Sequence, residues 1–120
     1  RLLAAEIGEI TAGRLPERTD LGRSVARMAA LHSLSQNVAG ALQRGEKADT
    51  AAALVKLLGT STEGDLVDVV SGGFGDETAA GPGEIDALLR AGLHQRPGFT
   101  LRGGTNEILR GVIARGLGMR

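Results

Sequence analysis

Apolar and polar positions follow helical spacing along most of the chain. From Arg1 to about Thr11, Leu2, Leu3, Ile7 and Ile10 gather on one side of a helix, and Gly13 offers a C-terminal stop. The stretch RLPERTD, residues 14–20, carries Pro16 and predicts a turn, after which Thr19 or Asp20 can cap the next helix through a side-chain oxygen. That second helix extends to about Gln43. Leu21, Val25, Met28, His32, Ser35, Ala39 and Leu42 recur at steps of three and four, Leu31, Leu34 and Val38 widen the stripe, and Gly45 ends it. A third helix begins near Asp49 or Thr50, with Leu54, Val55, Leu57, Leu58, Leu66, Val69 and Val70 on its apolar side. Gly59, Ser61 and Gly64 interrupt it; glycine costs about 1 kcal/mol against alanine inside a helix, so close backbone packing is the expected compensation. This helix is expected to stop at SGGFG, residues 71–75. An irregular loop, DETAAGPG, follows, then a short helix from Glu84 to Leu93 closed by His94, a turn at Pro97-Gly98, and a last helix.

No segment shows a convincing period of two, and no internal repeat is present. The expected fold class is therefore all-α: an antiparallel up-and-down helical bundle whose first helix is truncated. Residues 1–120 are expected to form one domain. The chain opens on Arg1 already inside a helical pattern, which leads us to expect a C-terminal fragment of a longer protein.

Charge and composition narrow the function. Fourteen basic and fourteen acidic side chains cancel, which argues against a nucleic-acid surface. Phe74 and Phe99 are the whole aromatic complement, too few for a base-stacking platform. Without cysteine there is no disulfide, thiolate metal site or thiol nucleophile. No apolar run approaches the roughly 20 residues of a membrane span, and the cytoplasm is the expected location.

Local chemistry concentrates in TLRGGTNE, residues 100–107. Thr105 is a good N-cap, and Glu107 falls in the first helical turn, where a negative charge meets the positive end of the dipole. Gly103 and Gly104 allow close backbone approach, so N–H groups there could face a ligand phosphate or carbonyl; a well-capped helix after a loop is the plainer alternative. SGGFG could form an anion-binding nest or simply terminate a helix. It fits neither a P-loop, lacking Gly-Lys-Ser/Thr, nor a dinucleotide fingerprint, since it follows a helix. His32 lies on the apolar stripe and is expected to be a satisfied core histidine. His94 is expected near the negative end of its helix, and neither histidine belongs to a metal-binding spacing. No serine-nucleophile elbow is present.

GTNEILRGVIAR, residues 104–115, resembles the C-terminus of the acyl-CoA dehydrogenases, where a Gly-Thr-Asn/Ser-Glu/Gln-Ile-x-Arg turn opens the last helix. VDVVSGGFG (67–75) looks like that family's Leu-Gly-Gly-x-Gly element, and MAALHSLSQ (28–36) and ALVKLLGT (53–60) fall where its long bundle helices lie. The resemblance implies a C-terminal bundle of a protein that also has an N-terminal helical domain and a middle β-domain. It implies FAD, an acyl-CoA substrate, an oligomer (homo- or hetero-) built through the bundle, and an electron-accepting flavoprotein as partner. Carried over by position, Thr105, Asn106 and Glu107 would line the flavin, Gly104 would touch the thioester, and Gly72 and Gly73 would approach the FAD of a neighbouring subunit.

Three departures accompany the resemblance. Where many members have the catalytic glutamate, this chain has Gly103, which cannot take a proton, so no catalytic residue is expected in it. AGRLPERTD (12–20) replaces the family's Arg-x-x-Phe-Gly element, and the loop before the last turn lacks the usual Arg-Asp pair. These favour an atypical member, with a non-catalytic structural partner subunit as the alternative. An independent helical interaction module is the third reading.

Overall fold

The third helix is the element around which the others are arranged. The computed structural model describes residues 1–13, 19–74 and 83–119, and among these the regular elements are all helices: α1 (Leu2–Thr11), α2 (Thr19–Gln43), α3 (Asp49–Phe74), α4 (Glu84–Phe99) and α5 (Asn106–Gly116). The expected turn around Pro16 and most of the loop 76–83 lie outside the described residues. Helix α3 packs against each of the other four, whereas α5 touches α3 alone among the described helices. Thr50 of α3 meets Gly116 of α5, and Thr60 meets Asn106, so the two helices run antiparallel. Likewise Val67 faces Gly92 while Lys56 reaches Phe99, which sets α4 antiparallel to α3. The all-α bundle is as expected.

Helix ends follow local chemistry. Gly13 and Gly45 adopt φ of +72° and +75°, where a side chain would be strained, and close α1 and α2. Thr19 and Asp20 are both helical, so neither stands ahead of the first turn of α2 as a cap. Asp20 instead sits in the first turn, its Oδ1 accepting from the Leu21 N–H at 3.0 Å.

Helix α3 ends within SGGFG as expected, running through Gly72 and Gly73 to Phe74, so these two form helix and not a nest. One boundary differs from expectation. Helix α4 does not end at Leu93: it passes through Pro97 to Phe99, leaving His94 inside the helix and not at its C-terminal end. Proline forfeits the bond to the Leu93 carbonyl. Continuation is favoured by Phe99, which packs against the core, and by Lys56, whose Nζ donates to the Phe99 carbonyl at 3.4 Å.

The core is small. Val67, Val70 and Leu89 form its centre, with Leu2, Leu66 and Phe99 packed around them; Leu3, Leu21, Ala48, Ala53 and Leu109 are buried elsewhere. The α2 face also departs from expectation. Of its predicted stripe only Leu21 is buried; Val25, Met28, His32, Ser35, Ala39 and Leu42 are exposed, while Leu31, Leu34 and Val38 are half-buried. His32 is thus a surface residue, not a core histidine. Helix α2 carries more apolar width than its contacts with α3 and α1 cover, and part of its surface is left open among the described residues. Nor do Gly59 and Gly64 mark a close packing within the chain: a Cβ at either would meet nothing within 4 Å. The close approaches are elsewhere, at Gly92, where a Cβ would lie 3.1 Å from Val67 Cγ2, and at Gly116.

Exposed ion pairs tie the helices together. Arg27 and Asp65 join α2 to α3 at 2.6 Å, Arg96 and Asp68 join α4 to α3, and Arg1 approaches Glu84 at 3.9 Å. Each contributes little because both partners remain solvated.

Candidate functional site

The connection between α4 and α5 is a turn set against the middle of α3. Gly103 and Gly104 adopt φ of +71° and +103°, conformations that side-chain-bearing residues avoid. Their N–H groups donate to no acceptor among the described residues. Thr105 is extended and caps α5, its side-chain oxygen accepting from the Ile108 N–H at 3.5 Å. Buried Leu109, one turn on, anchors α5 to the bundle.

Helix α3 contributes a polar stripe to the same place. Lys56, Thr60 and Glu63 are spaced i, i+4, i+7, which brings them to one side of the helix. The Thr60 hydroxyl is buried, 3.0 Å from the Lys56 carbonyl oxygen and 3.3 Å from the side-chain oxygen position of Asn106. Its one proton can be donated to a carbonyl of its own helix, at Lys56 or Leu57, or across to Asn106 Oδ1. Asn106 therefore faces α3. Lys56 lies across Gly103, where a Cβ would come within 3.4 Å of Lys56 Cε. Lys56, Thr60, Glu63, Phe99 and Arg102 border an open cleft beside the turn, with Gly59 among them.

Glu107 is the one group here with a resolved shift. Its own backbone N–H holds the carboxyl below the ordinary glutamate range, helped by the Thr105 hydroxyl and by Arg110, against a small opposing effect of burial. A depressed folded-state value means that the contribution to stability is present above the unfolded-state pKa, about 4.3, and is lost as pH falls through the depressed value. Glu107→Gln is accordingly expected to lower stability modestly at neutral pH and to flatten the acid limb below about pH 4.3, the two curves meeting at low pH where the native carboxyl is protonated. Urea midpoints measured across pH 3–7 check this.

The expected site residues fall into two groups. Gly103, Gly104, Thr105, Asn106 and Glu107 form the one turn; Gly72 and Gly73 lie in the last turn of α3. Twelve residues of α3 separate Thr60 from Gly72, about 18 Å along the axis. One chain therefore does not bring both groups to a single point. Lys56, Thr60 and Glu63 did not stand out in the sequence, although a lysine inside the apolar run ALVKLLGT was a usable signal. Among the described residues no cluster of His, Asp or Glu could hold a metal ion, and no helix is long and apolar enough to cross a membrane.

An all-helical bundle with a left-handed glycine pair opening its last helix defines a class, and comparison places the chain within it. Residues 17–118 match the family model described as Acyl-CoA dehydrogenase, C-terminal domain. The chain belongs to the acyl-CoA dehydrogenase family. No curated protein and no solved structure matches it.

That family is generally FAD-dependent, and the turn fits a flat hydrogen-bonding ring in part. Gly103 and Gly104 offer free N–H groups without Cβ atoms in the way, and Glu107 is exposed. Asn106 fits less well, since Thr60 engages its amide.

Proposed function

We propose that this chain is the C-terminal domain of an FAD-dependent acyl-CoA dehydrogenase, which removes the α- and β-hydrogens of an acyl-CoA thioester. The observation that carries this reading is the GGTNE turn: a left-handed glycine pair with unengaged N–H groups, capped by Thr105, on a chain of this family. When bound, FAD supplies the acceptor for the β-hydrogen. On this reading Thr105, Asn106 and Glu107 form the polar wall beside the flavin, with Asn106 held in place by Thr60. Gly104 leaves room for the thioester. Gly72 and Gly73, about 18 Å from Thr60, serve the cofactor of a neighbouring subunit. The exposed apolar side of α2, with Met28 and Leu42, is then covered in the oligomer.

The α-proton must go to a carboxylate within hydrogen-bond reach, and Gly103 supplies none. The second reading follows from this observation: the chain belongs to a structural subunit of a hetero-oligomer whose partner carries the base. Under either reading the complete protein, alone or with that partner, takes up flavin. Its purified form is expected to show the visible absorption of a bound flavin; a preparation that stays colourless with FAD supplied, with and without co-purifying chains, removes both. A stable, active homo-oligomer without a second polypeptide removes the structural-subunit reading alone.

A further inference from the structure

The cleft beside the turn carries two cations and, among the described residues, one acid. Lys56 and Arg102 both line it, and among the described residues neither has an acidic partner. Arg1, Arg27, Arg44, Arg90 and Arg96 are each paired with an acid, whereas Arg23, Lys47, Arg110 and Arg115 also make no ion pair among the described residues; Lys56 and Arg102 differ from these in sharing one cleft. Lys56 is half-buried and gives one donor to the Phe99 carbonyl in a long 3.4 Å contact, which leaves two ammonium donors uncommitted. The guanidinium of Arg102 is exposed and has all its donors free. The one acid lining the cleft, Glu63, is seven residues from Lys56 on α3, about 10 Å along the axis. The cleft, which Val55, Gly59 and Phe99 also line, is therefore positive beside Gly103 and negative at Glu63. A side chain at position 103 would project against Lys56 Cε, and glycine leaves that space open.

We propose that the Gly103 end of this cleft binds a compact oxyanion, a carboxylate or a phosphate group, between Lys56 and Arg102. A planar guanidinium matches two oxygens of such a group, and an ammonium on a partly desolvated stem supplies a point charge opposite it. Thr60 closes the floor, and Glu63 repels an anion from the far end. The oxyanion can be the free end of a carboxylated acyl group or a phosphate of a nucleotide; the two share this chemistry. The inference stands on the charges of the cleft and does not depend on flavin binding.

Chemical protection tests it in the complete protein. Inorganic phosphate or acetate, added at constant ionic strength, is expected to slow acetylation of Lys56 and dicarbonyl modification of Arg102 at least fivefold, saturably and with a common midpoint, as read by mass spectrometry. Arg110, exposed and outside the cleft, reports general effects in the same sample and is expected to be unprotected. Arg102→Gln should raise the midpoint for Lys56 at least fivefold, Lys56→Met should do the same for Arg102, and Glu63→Gln should lower both. A lower midpoint with phosphate identifies the nucleotide-type ligand; a lower one with acetate identifies the carboxylated acyl group. Absence of protection at both residues, protection that does not saturate, or equal protection at Arg110 overturns the proposal. Should Lys56→Met fail to fold, Arg102→Gln and Glu63→Gln decide the matter, since both change exposed side chains.

Discussion

Gly116→Ala is expected to loosen α5 from α3 and to cost about 1–3 kcal/mol of stability, as overpacking of a tight contact does. Away from packing, alanine in place of a helical glycine would gain up to about 1 kcal/mol, so the contact must overcome a favourable intrinsic term. It does so because the new Cβ would lie 1.9 Å from Thr50 Oγ1, 2.7 Å from its Cγ2 and 2.8 Å from its Cβ. Rotating Thr50 relieves the first two overlaps but not the third, so the backbones must separate. Gly111 in the same helix is the control. A Cβ there meets only the Arg115 guanidinium, at 3.6 Å, and Gly111→Ala should be neutral or stabilising. Denaturant unfolding of both variants checks the contrast. Adding Thr50→Gly to Gly116→Ala should recover part of the loss, and a double-mutant cycle isolates the pairwise effect.

Gly103→Glu, which places a carboxylate where many relatives have their base, is expected not to create a working base. The φ of +71° costs a residue with a Cβ about 1–2 kcal/mol. The added side chain also enters the space beside Lys56, 3.4 Å from its Cε. An adjacent ammonium favours the ionised carboxylate, which lowers its basicity and turns it toward α3. The variant should therefore unfold at lower urea concentration, and its new carboxyl should titrate below the ordinary glutamate range. Combining it with Lys56→Met should bring the titration back up. An NMR titration of the labelled glutamate measures both; a carboxyl that titrates above the ordinary range in the single variant contradicts this account.

The helices were legible because a period near 3.6 needs only local spacing, and α1 and α3 begin or end where glycines and capping groups indicate. Pro97 misled because its penalty is local, while what offsets it, Phe99 in the core and Lys56 at its carbonyl, comes from elsewhere in the chain. The burial of α2 was misread for a related reason. Its apolar band is wider than α3 and α1 together cover, and periodicity alone does not say which part meets α3. The turn was legible down to its residues, since Gly103 to Glu107 carry their geometry with them. The cleft was not: Thr60 reaches Asn106 across 46 positions of sequence, and only packing brings them together.

The arrangement around α3 also bears on how the chain opens. Helix α3 touches all the other helices, so its amides are expected to exchange with solvent only when the whole domain unfolds. Helix α5 is held by α3 alone among the described helices and can lift away in a smaller event. Amide exchange should then be slowest around Val67 and Val70 and much faster from Gly103 to Gly116. The segment that carries the cap and one wall of the cleft is thus the part of the bundle that can leave while the rest stays folded. A ligand that bridges α3 and the turn would slow its exchange selectively.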